Sequence, residues 1–284
     1  MRAAASFIPC LTAARTAIEP STKTISAAYI DRMDRGDFPP DVNEIANDFL
    51  VGVFLWFDII ATASTRSTPF LQDNFEYLGN IELEKVMGCE NWVMILIAQI
   101  SQLENWKRDM QKTGRLSVVE LSNRGSEIAK LLNNGLASQN MRPATTTISK
   151  GPAQYSPLIT RLFALSALTY LHVVLSGSYP ELAEIKTSVS LAINTLTSLP
   201  APHLLQNLVW PFCITGCMAS RVYEQCLSDL VVAAGEDAMC PGNYWKAFDV
   251  IKECWRLRES RQDDGNGVDW VRAMDSLGFR ALLV

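Results

Sequence analysis

The sequence predicts an all-α fold, a multi-helix array of packed antiparallel helices, and three observations predict it. From about residue 41 onward, apolar residues recur at three- and four-residue intervals, the period of a helix face. Two Ser-x-x-Glu pairs, Ser117 with Glu120 and Ser178 with Glu181, have the form of capping boxes at helix starts. No stretch alternates apolar and polar residues with period two for long enough to form a strand.

Residues 1–40 form a helical lead-in. Leu11, Ile18, Ile25, Tyr29 and Met33 give a modest pattern that is broken at Pro20 and stopped by Phe38-Pro39-Pro40. Asp41 or Asn43 caps the next helix, whose apolar positions are Ile45, Phe49, Val53, Trp56, Ile59 and Ile60. Thr62 to Asn80 reads as a connection. The central helix follows, within MGCENWVMILIAQISQLENWK at residues 87–107, where Trp92, Ile95, Leu96, Gln99, Leu103, Trp106 and Met110 write one stripe. The Ser117 box opens a helix through Leu121, Ile128, Leu131 and Leu132, closed by Asn133-Asn134-Gly135.

Residues 136–155 carry no periodic pattern and hold Pro143, Gly151 and Pro152. They read as a surface linker that divides residues 41–284 into two helical halves. Ser156-Pro157 then starts a helix that is apolar on nearly every face to residue 175 and closes at Gly177. After the second box, Leu182, Ile185, Val189, Ala192, Leu196 and Leu199 form an amphipathic stripe. Leu204 to Met218, with Pro211 and Gly216, is read as two helices or one bent one. Helices over Arg221–Ala234 and Tyr244–Arg258 follow, the latter with Trp245, Phe248, Ile251 and Trp255 on one face. A last helix carries Val271, Met274 and Leu277.

Composition narrows the function classes. The chain of 284 residues is 48% hydrophobic and 19% charged, so it can bury a sizeable core. Its formal net charge is −5, with the basic residues scattered, which makes direct nucleic-acid contact by this chain unfavourable. The 7 cysteines include no Cys-x-x-Cys pair and read as reduced, buried thiols, with no metal site. Phe49–Phe57 is too short to span a membrane, and Leu162–Leu175 is interrupted by Ser166, Thr169 and His172.

No phosphate loop, nucleophile elbow or zinc-protease motif occurs, so no cofactor is expected. What remains is a set of polar groups inside apolar helices. Asp58 within FLWFDII, Gln99 and His172 each serve either as a structural partner or as the anchor of a ligand. Together with Trp56, Trp92 and Trp210 they form the candidate ligand-binding set. The expected ligand is a small hydrophobic molecule held in an apolar cavity between the two halves. In an enzyme on this scaffold, of cyclase or isomerase type, Asp58 and His172 would be the catalytic residues.

The central segment from Met87 to Trp92, the run LHVVLSGSYPELAEIKTSVSLAINTLTSLP, Trp210 to Cys217 within LVWPFCITGCMASRVYE, and DWVRAMDSLG occur in this order. The series resembles the fungal-specific transcription-factor domain of the second type, over about residues 40–284. That resemblance implies an all-helical regulatory region, nuclear or cytoplasmic residence, and control of transcription through a small-molecule inducer, a protein partner or a homodimer. The six-cysteine zinc cluster that grips DNA in such regulators does not occur in this sequence. Three readings follow: a piece of a longer regulator, a stand-alone regulator, or a scaffold turned to small-molecule binding or catalysis.

Overall fold

A computed structural model describes residues 42–69, 84, 87–141, 152–236, 243–260 and 267–284. The lead-in over residues 1–40, with Cys10, and the cap expected of Asp41 lie outside them. The fold is all-α. Nine α-helices occur among the described residues: α1 Val42–Thr65, α2 Asn91–Lys112, α3 Val118–Met141, α4 Ser156–Ser176, α5 Ala183–Thr197, α6 Val209–Met218, α7 Glu224–Glu236, α8 Tyr244–Glu259 and α9 Trp270–Leu277. Short 3-10 turns at Pro152–Tyr155, Pro202–Asn207 and Arg221–Tyr223 precede α4, α6 and α7. The single extended contact among the described residues is a parallel bridge between Ser178 and Gly267.

The α4 helix is the hub, packed by α2, α3, α5 and α6. By length and composition it is long and apolar enough to cross a membrane, which the sequence reading did not anticipate. Here its side chains are buried inside the fold. Its few polar groups are matched within the core, as low-dielectric surroundings require. Ser166 Oγ lies 3.0 Å from Thr215 Oγ1 of α6, and Thr169 Oγ1 lies 2.8 Å from Ser188 Oγ of α5. Helices on both sides of residues 142–151 share one hydrophobic cluster.

Local chemistry explains where elements start and stop. Ser117 Oγ accepts from the Glu120 amide at 3.2 Å, the first half of a capping box, and α3 opens beside it. That helix runs on through Asn133-Asn134-Gly135 to Met141, past the stop read from the sequence. Gly135 is there for packing, since a Cβ on it would lie 2.4 Å from the Trp92 ring of α2. Of the expected 136–155 linker, residues 136–141 and 152–155 are therefore helical, and residues 142–151 lie outside the described residues. Pro211 is the third residue of α6, where its missing N–H removes no helical bond.

Three further expectations are corrected. Ser178 does not cap a helix: α5 starts at Ala183, and the Ser178 hydroxyl donates instead to Asp269 at 3.3 Å. Ser156 lies inside α4, behind an N-cap at Tyr155 that makes no side-chain bond. Trp245 is 40% exposed, outside the buried face of α8 formed by Tyr244, Phe248, Ile251 and Trp255.

The buried side of α2 is also rotated from the predicted stripe. Leu96 and Leu103 of that stripe are buried as expected, with Val93, Met94, Ile97, Ile100 and Glu104 beside them, whereas Trp92 and Trp106 lie half-buried at the edges and Gln99 is exposed. Tryptophans at the margins of a helix face drew the stripe toward themselves. Their rings are large enough to reach the core from either flank.

Candidate functional site

A charged network sits where the C-terminal end of α1 meets α2, α4 and α9. Glu104 falls on the buried face of α2, one turn after Ile100. A carboxylate there must find a partner, because its bare charge is costly to keep away from water. Arg66, the residue after α1, supplies it. Arg66 Nε lies 2.5 Å from Glu104 Oε1, a close ionic contact rather than an aligned hydrogen bond. Arg66 Nη2 lies 2.6 Å from Asp269 Oδ2. The Arg66 side chain is 23% exposed, against 7% for Glu104 and 8% for Asp269.

Each member has further bonds that hold its direction. Tyr170 of α4 donates to Glu104 Oε2 at 2.6 Å. Asp269 is the N-cap of α9, and its Oδ1 accepts the amides of Val271 and Arg272 at 3.1 and 3.0 Å. Arg66 also lies over the Trp270 ring, 5.4 Å from its centre, and Tyr170 meets that ring edge-on at 5.6 Å. Arg66 has φ +55°, a left-handed conformation that costs a non-glycine residue about 1–2 kcal/mol. Its carbonyl accepts from Arg108 at 2.7 Å, and the preceding Thr65 carbonyl accepts from Arg280 at 3.2 Å. The last turn of α1 is thus capped by two arginines from distant parts of the chain.

Charge states follow from these positions. Burial lowers the pKa of the Arg66 guanidinium, but Asp269 and Glu104 more than reverse this and leave it above its ordinary value. Burial, reinforced by Glu104, pushes the Tyr170 phenol well up, so it stays a proton donor. Lys107, which donates to the Val174 carbonyl at 2.5 Å, is lowered chiefly by burial. The network ties the C-terminal segment to the core and fixes one arrangement of four elements. Buried ion pairs contribute little net stability but penalise any state in which one partner is missing.

Gly267 completes the junction. It has φ +72°, and a Cβ on it would lie 2.7 Å from the Ser178 carbonyl oxygen. Gly278, at φ +73°, has open space around it. Gly267→Ala is therefore expected to cost about 2–3 kcal/mol, combining strain with a backbone clash, and Gly278→Ala about 1 kcal/mol. Urea midpoints of the two variants measure the difference.

The α9 helix reaches from this network to the surface. Its Asp269 end is clamped by Arg66, while Ser276 near its other end donates to Glu253 Oε1 of α8 at 2.5 Å. Gly278 then turns the chain, with its amide bonded to Asp275 and that of Phe279 to Met274. Beside this turn, α8, α9 and the start of α7 surround an open cleft of about 420 Å³, with Trp255, Leu277 and Phe279 among its walls. Its rim carries ion pairs: Arg221 with Glu224, Lys252 with Asp249, and the exposed Arg256 with the buried Glu253. The hydrogen bonds from Arg256 hold Glu253 below the usual carboxylate range.

The residues singled out from sequence lie elsewhere. Trp56 is half-buried with its ring 5.1 Å from Phe57, and Asp58 is half-buried on the same helix. Trp92 is half-buried and donates to Glu90 Oε2 at 2.8 Å. Gln99 faces solvent. His172 is half-buried, and burial lowers its pKa against the opposing pull of Glu184. Trp210 is fully enclosed, stacked on Phe163 at 5.9 Å and met edge-on by Tyr170 at 6.2 Å. Gln99 is on the wrong side of α2 to anchor anything in the core.

Sequence reasoning missed Arg66, Glu104 and Asp269. Glu104 could have been found from its place one turn beyond Ile100 and two beyond Ile97, and Asp269 from its position just before an amphipathic helix. Arg66 carries no such signal.

Among the buried thiols, Cys213 and Cys217 lie 4.0 Å apart on α6. Burial pushes the Cys217 and Cys254 thiols well up, which keeps them protonated. No group of three or more metal-ligating side chains with suitable placement occurs among the described residues.

Comparisons with known proteins now bear on this helical array. The chain is 34% identical over 271 residues to a trichothecene biosynthesis transcription regulator of Trichoderma arundinaceum, covering 91% of this chain and 62% of that protein. It is 31% identical over 270 residues to a transcription factor of Pestalotiopsis microspora, covering 87% and 42%. It is 26% identical over 245 residues to the ustiloxin B cluster transcription factor of Aspergillus flavus, covering 82% and 42%. The chain thus spans roughly 40–60% of the length of these relatives. No solved structure matches. The family described as fungal specific transcription factor domain matches residues 6–284, from before α1 to the end of the C-terminal segment that Arg66 clamps, and the chain belongs to that family.

Proposed function

We propose that this chain is the regulatory part of a transcription regulator for a fungal secondary-metabolite gene cluster, responding to an effector or a partner and working in the nucleus. The observation that carries this reading is its match, over most of its length, to regulators named for such clusters. The net charge of −5 and the scattered basic residues favour a chain that leaves DNA contact to other protein. The clamped C-terminal segment suits regulation. A clamp whose half-made states are penalised holds the C-terminal segment in one defined position, which a partner or effector can read or release.

The test is a fusion of the full chain to an unrelated sequence-specific DNA-binding domain. The fusion changes transcription of a reporter several-fold, while the chain alone gives no sequence-specific shift of duplex DNA at physiological salt. A reporter that does not respond, or a specific shift by the chain alone, overturns the proposal.

A further inference from the structure

We propose that the outer face of α1 is a docking surface for the chain's own residues 22–35, which fold back along it as an antiparallel neighbour. Those residues lie outside the described ones, whereas the surface from Phe49 onward is described. The Phe49–Thr65 part of α1 is apolar on both sides. Leu55, Ile59 and Ala63 face inward and are buried. On the opposite side Leu50, Val53 and Phe57 form a second apolar stripe. Leu50 is 59% exposed and the adjoining Phe49 53%, while Val53 and Phe57 are half-buried. Among the described elements α1 packs against α2 and α9, and neither covers Phe49 or Leu50. A helix that is apolar all round belongs inside a protein, and a contiguous apolar patch on it marks a place of contact.

The occupant follows from family extent, pattern and length. The family match begins at residue 6, so the chain ahead of α1 belongs to the same domain as α1. Within it Ile25, Tyr29 and Met33 recur every four residues, the spacing of one helix face, and Lys23, Asp31 and Asp34 fall on the opposite side. Six residues, 36–41, join this segment to α1, and Pro39-Pro40 among them stops a helix. A connection this short makes antiparallel neighbours of the two segments it joins.

The lengths also match. At 1.5 Å per residue, residues 22–35 would span about 21 Å as a helix, the reach of α1 from Val42 to Trp56. Folded back in this way, Tyr29 falls near Phe49 and Ile25 near Val53. The chain that follows α1 starts from its far end, about 22 Å from Leu50 along the helix. Tethering by a short connection also gives the segment an effective concentration on the order of millimolar, so a small apolar contact is enough to hold it.

The experiment places the photo-cross-linking residue p-benzoylphenylalanine at position 50 of the full chain and maps the product by mass spectrometry. A mixture of isotopically heavy and light chains separates links within one molecule from links between two. The expected link joins position 50 to residues 25–33 of the same molecule. A heavy–light link, which would make a second copy the occupant, a link to residues 70–86 or to any other part of the chain, or no link at all overturns the proposal. Amide hydrogen exchange gives a second readout. The double variant Ile25→Asp/Tyr29→Asp speeds exchange over residues 49–54 at least roughly tenfold and leaves residues 159–174 of the hub helix unchanged, while Lys23→Asp, on the other side of the segment, changes neither. Unchanged exchange in the double variant, or an equal effect of Lys23→Asp, overturns the proposal as well.

Discussion

Arg66→Met is expected to lower the unfolding free energy by about 3–5 kcal/mol, because it leaves Glu104 and Asp269 buried without a countercharge. For a domain of this size the loss corresponds to a fall in Tm of roughly 6–20 °C. The variant also removes the cation over the Trp270 ring, so the near-ultraviolet signal of the tryptophans changes with it. Adding Glu104→Gln and Asp269→Asn to the same chain removes the stranded charges and restores part of the loss. A single variant as stable as the parent would mean that water already solvates both carboxylates, and the network would then lose its role as a clamp.

The second large effect is expected at Trp210. Its ring is wholly buried between Phe163 and Tyr170, and Trp210→Ala costs about 3–5 kcal/mol through lost burial and the cavity left behind. Trp210→Phe costs much less, because the Trp210 indole N–H is buried without a hydrogen-bond partner, so its removal relieves an unsatisfied donor. Trp245→Ala, at a position 40% exposed, costs less than about 1 kcal/mol. Chemical denaturation of the three variants orders them. Equal losses at Trp210 and Trp245 would show that the core is not centred on α4.

The helices were legible because periodicity and capping are local. Ser117 caps where its spacing from Glu120 predicts, and α6 begins two residues before Pro211, as proline chemistry allows. Stop signals were less reliable. Gly135 looked like a helix end, yet it sits inside α3 because a tryptophan 43 positions earlier in the chain needs the space. The site was harder still. Asp58, Gln99 and His172 stand out in the sequence as polar residues in apolar surroundings, which does not say which way a helix faces. Arg66 becomes a site residue only once the fold brings α2 and α9 beside the end of α1, and nothing within a few residues of Arg66 announces that meeting. Ser178 shows the same effect in reverse: its spacing from Glu181 imitates a cap, and the hydroxyl is spent on Asp269.

The hub helix also has a consequence during synthesis on the ribosome. When α4 leaves the exit tunnel, α2 and α3 are available to it, but α5 and α6 have not yet been made. The roughly forty residues from Gly177 to Met218 take on the order of several seconds to translate. During that interval the nascent chain displays a segment that passes for a bilayer-spanning one in length and composition. Chaperones that recognise apolar helices should therefore engage the chain between these two points of translation. Chains arrested before Met218 should be found with membranes or in aggregates, while the finished chain is released from both.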